Sequence, residues 1–242
     1  MIQVKSLSKS FGDKKVLCNI SFNVNKGDSL AIVGKSGAGK SVLLKSLIGL
    51  IKVDSGDIII DGRSIIDMSY KKLQEVRSNI GMVFQFGALF DSMSVYENIA
   101  LALDSQIVTK DEKDILISKY LEEVGMEGTE QLMPSELSGG MKKRVGIARS
   151  IAMKPSYMLY DEPTTGLDPV MTDSINRLIK KIKDNENVTS IIVTHEMRTV
   201  YDVADRVLLI NDGNIVFNGI PEKIKSEENK IIRQFVLGDS TI

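Results

Sequence analysis

A phosphate loop of the form G-x-x-x-x-G-K-S spans residues 34–41, directly after a short apolar run. Loop glycines allow backbone N–H groups to close around a phosphate, while Lys40 brings a positive charge and Ser41 a hydroxyl that suits Mg²⁺. Both flanks of the loop match the strand and helix between which a phosphate loop lies. Ser29–Val33 reads as a buried strand, and Val42–Leu50 places its leucines on one helical face. We therefore expect an α/β protein that binds a nucleoside triphosphate through Gly34, Lys35, Ser36, Gly37, Ala38, Gly39, Lys40 and Ser41.

Strand-like and helical segments alternate along the rest of the chain, which favours a mainly parallel sheet. Apolar or alternating runs predict strands at 20–24, 57–60, 80–84, 158–160, 190–193 and 207–210. Helical periodicity appears at 96–103, 115–124, 142–153 and 170–183. The expected architecture is a single domain over 1–242, with an N-terminal antiparallel β part, a core at about 1–91 and 154–242, and a helical insert at about 92–153.

Composition argues against a nucleic-acid partner, an intrachain disulfide and a membrane-spanning helix. The 31 basic and 32 acidic residues leave a net charge of −1, so no electrostatic reason exists to expect nucleic acid. The basic run Lys142–Arg144 is better explained as a helix surface facing solvent or a bound triphosphate. Cys18 is the only cysteine, which excludes an intrachain disulfide and fits a reducing cytoplasm. No apolar run approaches the roughly 20 residues of a membrane-spanning helix.

Two adjacent carboxylates end an apolar strand. Residues 157–162 read Tyr-Met-Leu-Tyr-Asp-Glu, so the strand delivers Asp161 and Glu162 to the carboxyl edge of the sheet, beside the phosphate loop. Neighbouring acids repel each other, which makes a nearby cation a better explanation than an ordinary acidic strand end. Asp161 is predicted to hold Mg²⁺, and Glu162 to orient and deprotonate the attacking water.

A second anion-binding motif follows at Leu137-Ser138-Gly139-Gly140-Met141, at the start of a predicted helix. The hydroxyl of Ser138 and the backbone N–H groups around Gly139 and Gly140 can bind phosphate oxygens. A chain that already holds its phosphates at residues 34–41 has no obvious need for this second site. The economical interpretation is that the motif covers the nucleotide of another subunit.

Together these motifs resemble the ATPase subunit of an ABC transporter, over nearly the whole chain. The resemblance implies a P-loop NTPase core, ATP and Mg²⁺ as cofactors, a homodimer and an integral membrane permease. It implies a Mg²⁺- and water-contacting role for Gln85, a γ-phosphate contact for His195 and a D-loop role for Asp168. It also implies that Phe11 stacks on adenine beside Val16, although Phe11 could instead be a core residue.

Subfamily features point to lipid cargo. Met141 stands where glutamine is usual in the family, and this LSGGM form, together with the segments 87–95 and 232–236, resembles the ATPases of MCE-type lipid transporters, including the system that maintains outer-membrane lipid asymmetry. That resemblance implies an MCE-domain substrate-binding protein and a small accessory subunit as further partners. It also implies a peripheral location on the cytoplasmic side of the inner membrane.

Three alternatives remain open at this point. A small-solute transporter, for example for amino acids, is the chief rival within the transporter class. A soluble ABC ATPase acting on ribosomes or DNA ends would usually carry two ATPase units, a coiled-coil insert or an iron–sulfur domain. A P-loop kinase or GTPase would lack the motif at 137–141.

The segment Phe86–Val95 is predicted to contact the membrane partner, because it joins the nucleotide site to the helical insert and carries more apolar bulk than a solvent loop needs. Some of its side chains could instead fill the core of the insert. Phe90 and Val95 are the two for which we expect this.

Overall fold

The computed structural model describes residues 1–104 and 109–238. Within this part of the chain an antiparallel sheet has the order β2 (Lys14–Val24), β1 (Ile2–Phe11), β4 (Ser55–Ile60) and β5 (Arg63–Ser64). The β4–β5 pair is a short hairpin, as the turn residues around Asp61-Gly62 predict. This sheet is the predicted antiparallel N-terminal part.

The second sheet carries the site. Its order is β10 (Asn214–Gly219), β9 (Arg206–Asn211), β3 (Ser29–Val33), β8 (Thr189–Thr194), β7 (Tyr157–Asp161) and β6 (Ile80–Val83). The strands from β9 to β6 are parallel, and β10 is antiparallel to β9. Every residue of β3, β7 and β8 is buried, which explains why these strands read as unbroken apolar runs.

In the described residues, six helices lie outside the segment 92–153. They are α1 (Lys40–Leu47), α2 (Tyr70–Arg77), α6 (Pro169–Glu186), α7 (Met197–Val203), α8 (Pro221–Ile224) and α9 (Lys230–Leu237). Predictions exist for the bounds of α1 and α6 and for the start of α8 at Pro221. Helix α1 starts two residues before the predicted helix, because Gly39 adopts φ +97° and turns the chain into the helix. Helix α2 has no buried residue, so its apolar pattern is weak and the sequence did not predict it.

The segment 92–153 contains α3 (Val95–Leu103), α4 (Lys110–Glu123) and α5 (Gly139–Ala152), with a short 3₁₀ turn at Pro134–Glu136 before α5. Ser94 and Thr109 each begin a helix with a capping box, which explains these two helix starts. The three helices share one apolar cluster that includes Ile99, Leu121 and Val145. No helix in the described residues is long and apolar enough to cross a membrane.

Candidate active site

Four loops meet at the carboxyl edge of the parallel strands. The phosphate loop follows β3, Gln85 follows β6, Glu162 follows β7 and His195 follows β8. Because β3, β8, β7 and β6 are neighbours in that order, these loops lie side by side, where parallel sheets bind their ligands. The prediction that the strand before His195 lies beside the strand before Glu162 is confirmed.

The phosphate loop is packed so closely that two of its positions admit no side chain. A Cβ atom at Gly34 would lie 2.4 Å from the carbonyl oxygen of Ile210, and one at Gly39 would lie 2.8 Å from that of Val16. The loop is closed internally by a hydrogen bond from the Ala38 N–H to the Lys35 oxygen. Tight packing against β2 and β9 therefore determines the shape of the loop before any ligand binds.

Lys40 lies over this loop and is 7% exposed. Its ammonium donates to the oxygens of Gly34 at 2.8 Å and Lys35 at 3.2 Å, and it lies 3.7 Å from Glu162 Oε1. Burial lowers the pKa of Lys40, while the carboxylates of Glu162 and Asp161 oppose this shift. The result is a cation between the loop and the carboxylate pair, positioned to meet phosphate oxygens.

The two carboxylates have different surroundings. Asp161 is 7% exposed and accepts a hydrogen bond from Ser41 Oγ at 2.9 Å. Hydroxyl and carboxylate oxygens are the ligands that Mg²⁺ prefers, so this pair suits that ion. Glu162 has φ +52°, a left-handed conformation that costs about 1–2 kcal/mol in a residue with a Cβ. Strain of this kind is typical of functional sites.

The carboxylate of Glu162 is held on one oxygen by two side chains. Its Oε2 lies 2.8 Å from His195 Nδ1 and accepts from Thr165 Oγ1 at 2.9 Å. The Glu162 backbone N–H donates to the oxygen of Val193 in β8. With one oxygen held and the other beside Lys40, the carboxylate has a defined orientation and can accept a proton from a water molecule.

These groups line an open cleft of about 760 Å³. The cleft is lined by Phe11, Lys14, Val16, Lys35, Ser36, Gly37, Gly39, Lys40, Ser41, Val42, Gln85, Glu162, Thr165, His195 and Phe235. Phe11 is 50% exposed, so the alternative that it is a core residue is wrong. A further cleft of about 600 Å³ lies at the opposite edge of the sheet, near Tyr157 and Thr189, and none of the predicted site residues lines it.

The second anion motif stands away from this cleft. Ser138 and Gly139 are exposed at the start of α5, where Ser138 Oγ accepts from the Met141 N–H at 3.3 Å. Asp168 is exposed and caps α6 by accepting from the N–H groups of Val170 and Met171. Neither Ser138–Gly140 nor Asp168 lines the cleft, so a single chain leaves the two phosphate motifs apart.

Three residues near the site were not predicted. Thr165 holds Glu162, Phe235 reaches the cleft from α9, and Lys143 is 4% exposed and donates to two carbonyl oxygens of the loop after β7. The expectation that Lys143 faces solvent or a triphosphate is therefore wrong. Phe235 belongs to the subfamily segment 232–236, but nothing in the sequence predicts its approach to the cleft, which depends on the packing of α9.

The segment Phe86–Val95 has both exposed and buried apolar side chains. Phe86 is 81% exposed, whereas Val95 is fully buried, as expected. The expectation that Phe90 fills the core is wrong, since Phe90 is 53% exposed with the Arg149 guanidinium 5.9 Å from its ring centre. The amide of Asn98, which is fully buried, holds the segment through hydrogen bonds to residues 90, 93 and 94. The loop is thus rigidly held and presents apolar rings outward.

A phosphate loop, a carboxylate pair and a histidine at the edge of a parallel sheet define a P-loop nucleoside triphosphatase. The family model described as ABC transporter matches residues 17–165. The chain belongs to this family and is an ABC transporter ATPase.

Relatives with different cargoes match nearly the whole chain. The intermembrane phospholipid transport system ATP-binding protein MlaF of Haemophilus influenzae is 38% identical over 242 residues, which covers 99% of this chain and 91% of that protein. The methionine import ATP-binding protein MetN of Rhizobium etli is 40% identical over 238 residues, which covers 98% of this chain and 66% of that protein.

Among solved structures, a dimeric post-hydrolysis state of the ATP-binding cassette MJ0796, bound to ADP and Pi, is similar with a TM-score of 0.85 and 29% identity. The match covers 91% of this chain and 99% of that chain. The similarity therefore extends over both the core and the helical segment of the described residues.

Proposed function

We propose that this ATPase works as a homodimer on the cytoplasmic side of the inner cell membrane, where it energises a permease that moves phospholipid or another lipid. The observation that carries the ATPase assignment is the carboxylate of Glu162, held by His195 and Thr165 beside Lys40. The lipid cargo is supported by the likeness to MlaF along almost the full length of both proteins.

In this proposal ATP occupies the cleft of about 760 Å³. The phosphates lie against residues 34–41 and Lys40, and adenine stacks on the exposed ring of Phe11 with Val16 at its edge. Ser41, Asp161 and Gln85 would hold Mg²⁺, since a hydroxyl, a carboxylate and an amide oxygen suit this ion. When bound, Mg²⁺ supplies neutralisation of phosphate charge.

The chemical step is assigned to Glu162 as general base. Its carboxylate takes a proton from water as the water oxygen attacks the γ-phosphorus in line with the leaving ADP oxygen. His195 orients the carboxylate through Nδ1 and approaches the γ-phosphate. Gln85, at the end of β6, contacts the water and the segment that follows it.

The motif Ser138–Gly140, which is exposed at Ser138 and Gly139, is assigned to the nucleotide of the partner subunit, with Asp168 at the same interface. ATP then favours a closed dimer because it touches both subunits only in that state. Hydrolysis removes this advantage and reopens the dimer. The dimeric structure of MJ0796 supports this arrangement.

We assign the docking site for the permease to the segment Phe86–Val95, where Phe86 and Phe90 are exposed. Residues 92–153 would act as a helical subdomain that moves with the permease, and residues 1–91 and 154–242 as the core. An MCE-domain protein and a small accessory subunit complete the proposed assembly. Import of an amino acid is the second candidate function, favoured by the 40% identity to MetN.

The test is purification of the native membrane complex through a tag on this chain, with identification of its subunits and of bound lipid by mass spectrometry. We expect a permease, an MCE-domain protein and phospholipid. A matched preparation of Ala88→Glu should lose all three. Recovery of a permease with a soluble amino-acid-binding protein, and lipid no higher than in the Ala88→Glu control, would support the second candidate instead.

A further inference from the structure

Lys143 has an environment that a helix-surface lysine does not have. It lies in the first turns of α5, yet it is only 4% exposed. Its ammonium donates to the backbone oxygen of Thr165 at 2.7 Å and to that of Glu162 at 3.4 Å. Burial lowers the pKa of Lys143, and the nearby carboxylates of Glu196 and Glu162 oppose this shift. A buried ammonium is costly unless it is well hydrogen-bonded, so these two contacts explain its place.

Both contacts fall on the loop that orients the proposed base. Thr165 Oγ1 donates to the Glu162 carboxylate at 2.9 Å, and the Thr165 N–H donates to the Glu162 oxygen at 3.4 Å. Glu162 itself has φ +52°, which the surrounding structure must maintain. The ammonium of Lys143 thus holds both ends of the turn 162–165 without touching the cleft, since Lys143 is absent from its lining.

We propose that Lys143 is a positioning residue, which fixes the turn 162–165 to helix α5 and thereby holds the Glu162 carboxylate in its catalytic orientation. The inference rests on the proposed function, in which Glu162 is the general base. Ser138–Gly140 begin the same helix. The hydrogen bonds of Lys143 therefore also connect the motif assigned to the partner's nucleotide with Glu162, the proposed base for this chain's own nucleotide.

The first test compares Lys143→Met in the full chain with Lys180→Met, which removes the same charge from an exposed position on α6. Misplacing a catalytic group by about 1 Å can cost on the order of 100-fold. We expect Lys143→Met to lower kcat about 10- to 100-fold, with KM for ATP and the affinity for a non-hydrolysable analogue changed less than about twofold. Lys143→Arg should restore much of kcat, since a guanidinium can donate to the same oxygens. An unchanged kcat would overturn the proposal.

The second test asks whether Lys143 acts through Glu162. In single-turnover assays, Lys143→Met should hardly change the residual hydrolysis of Glu162→Gln, because the orientation of a base matters only while the base is present. An equal fold loss in both backgrounds would mean a general structural role and would overturn the proposal. Near-wild-type hydrolysis by Glu162→Gln alone would refute the base assignment instead.

Folding is checked by thermal unfolding of each variant. If Lys143→Met is not folded, Lys143→Gln decides the question. Its uncharged amide is shorter by one atom and should not bridge the oxygens of both Glu162 and Thr165, although its N–H donors can still satisfy one of them. We expect Lys143→Gln to lower kcat and leave KM unchanged. In the Glu162→Gln background, the same substitution should have almost no effect on the rate. Wild-type kcat in folded Lys143→Gln would overturn the proposal.

Discussion

At the scale of single residues, Glu162 concentrates the contacts of the site. Its backbone is strained at φ +52°, and its carboxylate is bonded to His195 and Thr165 and lies 3.7 Å from Lys40. Each of these contacts comes from a different segment of the chain. A side chain held in this way loses little orientation freedom when the reaction begins, which is what a general base requires.

Glu162→Gln should retain ATP binding and nearly abolish hydrolysis. The amide keeps the size of the side chain but cannot take a proton, and loss of a positioned base typically costs about 10²–10⁴-fold in rate. Phosphate release measures the rate, and size-exclusion chromatography with ATP should show the variant accumulating as a dimer. Glu127→Gln, an exposed change on the helical segment, is the control. Hydrolysis near the wild-type rate would contradict the assignment of the base.

Phe11 and Phe235 should both contribute to nucleotide affinity, because both rings line the cleft. Stacking of a base on an aromatic ring contributes about 1–3 kcal/mol, so Phe11→Ala should weaken binding of a non-hydrolysable ATP analogue by about tenfold or more. We expect a smaller loss for Phe235→Ala and none for Leu237→Ala, which removes an exposed side chain from the same helix. Isothermal titration measures the three affinities. If Phe235→Ala and Leu237→Ala bind the ATP analogue with equal affinity, Phe235 does not contribute to nucleotide binding.

The sequence correctly predicted the placement of residues where a short motif directly follows an apolar strand. The loop at 34–41 and the pair Asp161–Glu162 follow apolar strands, so both their type and their edge of the sheet are predictable. Lys143 and Phe235 approach the site only through tertiary packing, whereas Thr165 bonds Glu162 within a single turn that no predicted motif includes. In the sequence, Lys143 lies between Lys142 and Arg144, which suggests a basic surface exposed to solvent. Its burial becomes visible only in the structure, where its ammonium bonds the loop after β7.

At the scale of elements, the order of the strands decides which loops meet. Buried runs such as 29–33 and 190–193 predict strands but not their neighbours in the sheet. That β3 lies between β9 and β8, and not beside β6, follows from long-range packing. Helix α2 has no fully buried residue, and only Leu73 and Val76 pack partly against the core, so its apolar periodicity is too weak to predict it.

The loop between β6 and α3 should bind the permease, and Ala88→Glu tests this. Ala88 is exposed and already has φ +47°, so the change adds charge without new backbone strain. Gly87 is a poorer target, since a Cβ there would lie 2.8 Å from the Lys142 oxygen. We expect ATP binding by the isolated chain to survive while co-purification of the permease falls. Leu101→Glu, which adds the same charge on the exposed side of α3, is the control. Normal assembly and transport with Ala88→Glu would place the docking site elsewhere.

At the scale of the whole molecule, the two motifs that we assign to phosphate binding do not line the same cleft. The cleft contains residues of the phosphate loop and Glu162, whereas Ser138 and Gly139 are exposed at the start of α5. In the proposed function, the motif Ser138–Gly140 binds the nucleotide held by the phosphate loop of a second copy. Two copies related by symmetry would complete two sites at once.

Ser138→Arg should block closure of this dimer without unfolding the subunit, because the side chain is exposed and loss of its cap costs only about 1 kcal/mol. The decisive sample is a heterodimer of Ser138→Arg with Lys40→Ala, isolated through two different tags. One of its composite sites pairs an intact phosphate loop with an intact Ser138–Gly140, and the other carries both changes. We expect measurable ATP hydrolysis from the heterodimer and almost none from either homodimer, while Ser226→Arg, an exposed change away from both motifs, stays active. Wild-type activity of the Ser138→Arg homodimer would contradict a site completed by the partner subunit, because the arginine would then occupy the space assigned to the partner's γ-phosphate.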